Sequence, residues 1–162
     1  MKVVVFSDVH GAQSNVERIL DLNQDADYFI SLGDTELEQQ FLVHNDIVMI
    51  KGNYHHDAGF VFERDMEIEG VKIFLTHGHK YGVQRGLKKL AKFAIQNEYQ
   101  LVLFGHTHVV DQTKIGPVQF LNPGSCSQPR NTLPPTYLII DITEGKFTWR
   151  FQDIFTNQTI EV

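Results

Sequence analysis

The sequence predicts an α/β fold, and three observations carry that reading. Five short apolar runs, Val3 to Phe6, Tyr28 to Leu32, Ile47 to Ile50, Val71 to Leu75 and Leu101 to Phe104, have the length of buried strands, and several end in turn or polar residues. Helical patterns separate the early runs, and the resulting β-α-β-α-β order calls for a parallel sheet with right-handed crossovers. After Glu63 the texture becomes more β, with alternation at Met66 and Ile68 and again at Phe147, Trp149 and Phe151. Together these segments predict two sheets packed against each other with helices outside.

The first helix is read from Val16, Ile19 and Leu20, which share a face, and the second lies around Leu37, Phe41 and Leu42. The clearest helix is Gln84 to Asn97. There Leu87, Leu90, Ala91, Ala94 and Ile95 form an apolar stripe, and Arg85, Lys88, Lys89 and Lys92 share another face, which reads as solvated surface. Glu69-Gly70, Gly116-Pro117 and Glu144-Gly145 are expected to turn hairpins. With no internal repeat, low-complexity segment or linker, the 162 residues are expected to form a single domain, 1–162.

Composition narrows the function classes. At 42% hydrophobic and 21% charged residues the chain is an ordinary globular protein, neither disordered nor collagenous. A single cysteine, Cys126, excludes an intramolecular disulfide and suits a reducing compartment. No apolar run approaches the roughly 20 residues of a membrane span, so a cytoplasmic protein is expected. A net charge of −6 argues against coating nucleic acid, which would enter only as a substrate.

The chemistry sits where the strands end. Each of the five runs leads directly into residues able to bind a metal: Asp8 and His10, then Asp34, Asn53, His77, and finally His106 and His108. In an open α/β sheet the carboxyl ends of the strands converge on one crevice, where ligands bind. Seven of the eight histidines, all but His44, lie in these loops, namely His10, His55, His56, His77, His79, His106 and His108. Carboxylate, imidazole and amide donors without thiolate suit Mn, Fe, Co, Ni or Zn in a catalytic site. Seven ligands exceed one ion's needs but suit two ions bridged by a carboxylate, for which Asp34 is the natural candidate.

These residues fall into Asp8-Val9-His10, Gly33-Asp34, Gly52-Asn53, His77-Gly78-His79 and Gly105-His106-Thr107-His108. In type and order the set resembles the calcineurin-like metallophosphoesterase superfamily. The shortness of the chain and Asn122-Pro123-Gly124-Ser125 resemble its small YfcE-like phosphodiesterase branch. The resemblance implies a four-layer α/β/β/α sandwich of two mixed sheets. It also implies one metal on Asp8, His10, Asp34 and His108 and a second on Asp34, Asn53, His77 and His106. The activity it implies is hydrolysis of a small phosphoester, foremost a phosphodiester, by a hydroxide bridging two divalent ions, with manganese the leading choice.

One stretch departs from the family pattern. Where many members carry a histidine directly after the asparagine, thought to protonate the leaving group, this chain has Tyr54, followed by His55, His56 and Asp57. Either His55 or His56 supplies the acid, or both line the cleft rim. His79 contacts substrate phosphate or lies outside the ligand set, and Arg130 is a candidate phosphate contact. Two other functions compete: a phosphomonoesterase or nucleotide phosphatase, and a protein-interaction scaffold of the kind the retromer subunit makes of this fold. The oligomeric state, including a homo-oligomer, stays open.

Overall fold

In the computed structural model, which describes residues 1–54 and 59–162, the predicted strands form two sheets. The first half begins with β1 (Lys2–Phe6), α1 (Gln13–Leu22), β2 (Tyr28–Ser31), α2 (Gln39–His44) and β3 (Ile47–Met49). The three strands pair in parallel, with Val4 opposite Phe29 and Ile30 opposite Val48, as the β-α-β-α-β order requires. The chain then builds β4 (Glu63–Ile68), β5 (Val71–Thr76), α3 (Lys88–Gln96), β6 (Leu101–Leu103), β7 (Val110–Asp111), β8 (Lys114–Ile115) and β9 (Val118–Pro123). It closes with β10 (Thr136–Thr143), β11 (Lys146–Asp153) and β12 (Thr159–Ile160).

One sheet has the order β12-β11-β10-β1-β2-β3, and the other β4-β5-β6-β9-β7 with β8 paired to β9. Both are mixed. In the first, β10 runs antiparallel to β1; in the second, β5, β6 and β9 are parallel and β4 is antiparallel to β5.

Alternation along each strand explains the layers, because successive side chains point to opposite faces. Val3 and Val5 of β1 pack with Ile73 and Leu75 of β5, Leu101 and Leu103 of β6, and Leu138 and Ile140 of β10, which is the core between the sheets. Val4 and Phe6 face the other way, against Val16 and Ile19 of α1 and Leu42 of α2. Phe74, Val102 and Phe120 cover the second sheet's outer face together with Leu90, Ala91 and Ala94 of α3. The result is the four-layer α/β/β/α sandwich of two mixed sheets.

The three expected hairpin turns are present. Ile68 pairs with Val71 around Glu69-Gly70, and Thr143 with Lys146 around Glu144-Gly145. Both central residues of each turn have positive φ, +48° and +80° in one and +48° and +76° in the other, the geometry that matches strand twist. Gly116-Pro117 links Ile115 to its partner Val118.

Two helices differ from expectation. Leu37 precedes α2 rather than lying in it. The helix expected over Gln84 to Asn97 begins only at Lys88, because Gly86 adopts φ +119°, ψ 170° and breaks the coil after a 3-10 turn over Val83–Arg85. No helix among the described residues is long and apolar enough to cross a membrane.

Because the core between the sheets joins strands from both, a cavity there should weaken the whole sandwich. Leu75 is fully buried in it, so Leu75→Ala is expected to cost about 2–5 kcal/mol of unfolding free energy. Chemical denaturation monitored by circular dichroism checks this. A loss below about 1 kcal/mol would mean that the inter-sheet core tolerates the cavity.

Candidate metal centre

The loops that follow β1, β2, β3, β5 and β6 bring the predicted ligands together. Two groups have ligand atoms all within 4.8 Å of one another, Asp8 with His10 and His108, and Asp8 with Asp34 and His77. His77 Nε2 lies 3.3 Å from Asp34 Oδ2 and 3.0 Å from Asn53 Oδ1. Asn53 Oδ1 is also 3.1 Å from His106 Nδ1, which brings the last two predicted ligands to the same place. Asp8 is common to both groups. Asp34 belongs to the second group, and the charges of both His77 and His10 act on its carboxyl.

Orientation of the imidazoles follows from their outer hydrogen bonds. His77 Nδ1 donates to the Leu32 carbonyl at 2.7 Å, and His108 Nδ1 to the Gln128 carbonyl at 2.7 Å. A carbonyl only accepts, so each Nδ1 bears hydrogen and each neutral ring keeps its lone pair on Nε2. His10 Nδ1 meets Glu36 Oε1 at 2.6 Å, with the same outcome. This is how histidines are held when the other nitrogen binds a metal. The inward nitrogens crowd: His10 Nε2 is 3.3 Å from His108 Nε2, which is 3.3 Å from Asp8 Oδ1.

Asp8 is fully buried. Its Oδ2 accepts from Ser7 Oγ at 2.7 Å and from the His106 N–H at 3.1 Å, but Oδ1 has no hydrogen-bond donor. A buried carboxylate oxygen facing nitrogen lone pairs is unfavourable unless positive charge lies between them. Titration directions express the same demand. Burial lowers the basicity of His77 and His108, but Asp34 and Asp8 outweigh it for His77, as Asp8 does for His108, so both rise above the ordinary imidazole value. Burial likewise opposes the charge on Asp34, yet His77, the Tyr54 N–H and His10 hold its carboxyl down at about 2. A divalent ion would meet this demand while the imidazoles stay neutral.

Local backbone geometry explains the glycines in the motifs. A Cβ on Gly52 would lie 2.0 Å from Asp34 Oδ1, and one on Gly105 would lie 2.1 Å from Ser7 Oγ, so only glycine lets the strand ends approach this closely. Asp8, His10, Asp34, His106 and His108 themselves have φ between +46° and +71°. That left-handed region is uncommon outside glycine, and asparagine, aspartate and histidine are the residues that visit it most.

The Asn122 to Ser125 segment lies beside these loops. Asn122 Nδ2 donates to Gly105 O and Thr107 Oγ1, and Ser125 Oγ donates to Asp8 O at 2.7 Å. Arg130 is tied by its N–H to His108 O, and its exposed guanidinium lowers the basicity of His106 and His108. Burial and the charges of His77 and His106 pull His79 down to about 4, so it is neutral near pH 7. Its ring stands 5.5 Å from His77 and 6.1 Å from His106. His44 is exposed at the end of α2, apart from the ligand groups. His55 and His56 lie outside the described residues, while Tyr54 sets its ring edge-on to His10 and donates its N–H to Asp34 Oδ1 at 2.9 Å.

Glu36 was not found from the sequence. A glutamate two residues after Asp34 carries no motif signal, and the carbonyls of Leu32 and Gln128 carry none at all.

Comparison with known proteins finds relatives along most of the chain. The chain is 28% identical over 159 residues to the probable metallophosphoesterase YsnB of Bacillus subtilis, covering 98% of this chain and 94% of that one. It is 24% identical over 168 residues to phosphodiesterase YfcE of Escherichia coli K12, covering 87% and 88%. The crystal structure of a conserved protein from Streptococcus pneumoniae TIGR4, a predicted phosphoesterase, superposes with a TM-score of 0.87 at 31% identity, covering 98% of this chain and 92% of that one. The model of the calcineurin-like phosphoesterase superfamily domain matches residues 1–145, and the chain belongs to that superfamily.

Proposed function

We propose that this chain is a metal-dependent phosphoesterase, specifically a phosphodiesterase, acting on a small phosphoester from a single domain, 1–162. One observation carries the reading: the outward-tethered imidazoles of His10, His77 and His108 converge with the buried, donorless Asp8 Oδ1. In this proposal Asp8, His10, Asp34 and His108 hold one ion, and Asp34, Asn53, His77 and His106 hold the other. Imidazole and carboxylate donors without thiolate favour manganese, with Fe, Co, Ni or Zn as chemically allowed substitutes. When bound, two such ions supply Lewis acidity that brings the pKa of water toward neutrality and neutralises phosphoryl charge.

The remaining work falls to the chain. Asp34 keeps its carboxylate ionised through neutral pH and is aligned by the Tyr54 N–H, so it is ready to be shared between the two ligand sets. Glu36 and the Leu32 and Gln128 carbonyls fix which nitrogen of each histidine faces inward. Arg130 adds positive charge at the rim beside His106 and His108. We assign the leaving-group proton to His55 or His56, which follow Tyr54 in the chain. The diester choice is supported by the phosphodiesterase YfcE among the relatives.

Hydrolysis tests the reading. With manganese added, bis(p-nitrophenyl) phosphate should be turned over with higher kcat/KM than p-nitrophenyl phosphate, and a chelator should abolish both rates. A preference for the monoester would make the protein a phosphomonoesterase. Absence of hydrolysis with either substrate would overturn the enzymatic reading.

Glu36 offers a second test, because it acts on the centre only through His10. Glu36→Ala frees the His10 ring, and losing such an outer partner costs roughly 10–100-fold in metal affinity or activity. Manganese titration calorimetry and kcat/KM should both show the loss. An unchanged affinity would mean that His10 needs no orientation, or that it is not a ligand.

A further inference from the structure

A basic and aromatic cluster adjoins the centre on the His77 and His106 side. Lys51 Nζ stands 4.2 Å and Lys80 Nζ 3.5 Å from the centre of the same ring, Phe62. Phe62 in turn lies 5.7 Å from His79, which contacts His77 and His106. Lys51 directly precedes Gly52-Asn53 and Lys80 directly follows His77-Gly78-His79, so the fold carries both lysines along with the candidate ligand loops. Among the described residues, no carboxylate lies within ion-pair distance of either ammonium.

Two cations gathered on one ring, with no carboxylate partner among the described residues, are unexpected in a chain with net charge −6. Each gains a cation–π contact with Phe62, but together they repel, and an anion reaching both would relieve that repulsion. The opposite side of the centre has the reverse character. There a cleft is lined by Glu36, Glu38, Gln39, Leu37 and Tyr54, with Glu36 bonded to His10. The surroundings of the centre are therefore polarised, with acid on the His10 side and base on the His77 and His106 side.

We propose that Lys51 and Lys80, held by Phe62, form a subsite for a second anionic group of the substrate, one phosphate or carboxylate beyond the phosphoester being cleaved. The inference rests on the phosphoesterase reading and narrows its substrate class to phosphoesters with two anionic centres, such as nucleotides carrying an additional phosphate. Ammonium groups suit this task because they attract a phosphate as point charges without demanding a fixed planar geometry.

The test compares thymidine 5′-(p-nitrophenyl phosphate) with the same compound carrying a 3′-phosphate, using manganese-loaded protein. The wild type should prefer the 3′-phosphorylated substrate in kcat/KM. In Lys51→Gln/Lys80→Gln that preference should fall by at least about tenfold, the change expected for losing even one of the two charge-assisted contacts. Lys51→Arg/Lys80→Arg, which keeps the charge, should retain most of it. Calorimetry with thymidine 3′,5′-bisphosphate gives a readout that does not depend on turnover, and affinity should fall by a similar factor in the glutamine variant. If both substrates are hydrolysed and the ratio and the bisphosphate affinity are unchanged in that variant, the subsite is wrong and the phosphoesterase reading stands. If neither substrate is hydrolysed, the phosphoesterase reading fails, and the bisphosphate affinities alone decide whether the lysines form an anion subsite.

Discussion

A fully buried carboxylate that lacks a donor on one oxygen sets the terms for everything around it. Asp8 sits at the end of β1 with Oδ2 satisfied by Ser7 and His106, and with Oδ1 turned toward nitrogen lone pairs. Such a group is tolerated only if positive charge is supplied there. The Asp8 charge, with that of Asp34, raises the basicity of His77, and it does the same to His108, so the surroundings already favour positive charge at this point. A divalent ion supplies that charge while the imidazoles remain neutral.

Building that centre distorts the backbone, and the sandwich absorbs the distortion. Five of the seven predicted ligands occupy the left-handed region, each at a cost of about 1–2 kcal/mol for an ordinary residue and less for aspartate or histidine. Such strain persists only where the surroundings fix it. Here the fixing is done by strands buried on both faces, by glycines that allow the strand ends to touch, and by the Asn122 to Ser127 segment. Ser125 and Ser127 both donate to the Asp8 carbonyl, and Cys126 N–H donates to Ser7 O, so the carboxylate is tied down from behind.

Much of this could be read in the sequence, for physical reasons. Strands with short apolar runs are legible because both faces are buried, and the convergence of the candidate ligands is legible because they follow those runs directly. The α3 start was missed because the apolar stripe continues back through Leu87 and hides the φ +119° of Gly86, a value that periodicity does not report. Glu36 was missed for a related reason. Its role depends on the left-handed turn at Asp34, which carries the chain back toward His10, and no spacing rule encodes that reversal. The pairing of Lys51 and Lys80 on Phe62 joins residues from three segments, so it appears only once the strands are assembled.

The central claim is that the strand ends build one centre for two ions around Asp8 and Asp34. Metal analysis of the manganese-loaded protein after desalting tests it most directly, with wild type compared to Asp34→Asn. The account predicts two equivalents per chain in the wild type and a loss of bound metal in the variant, whose shared ligand has lost its charge. Two equivalents retained by Asp34→Asn would contradict the shared role of Asp34. No retained metal in the wild type would contradict the centre itself.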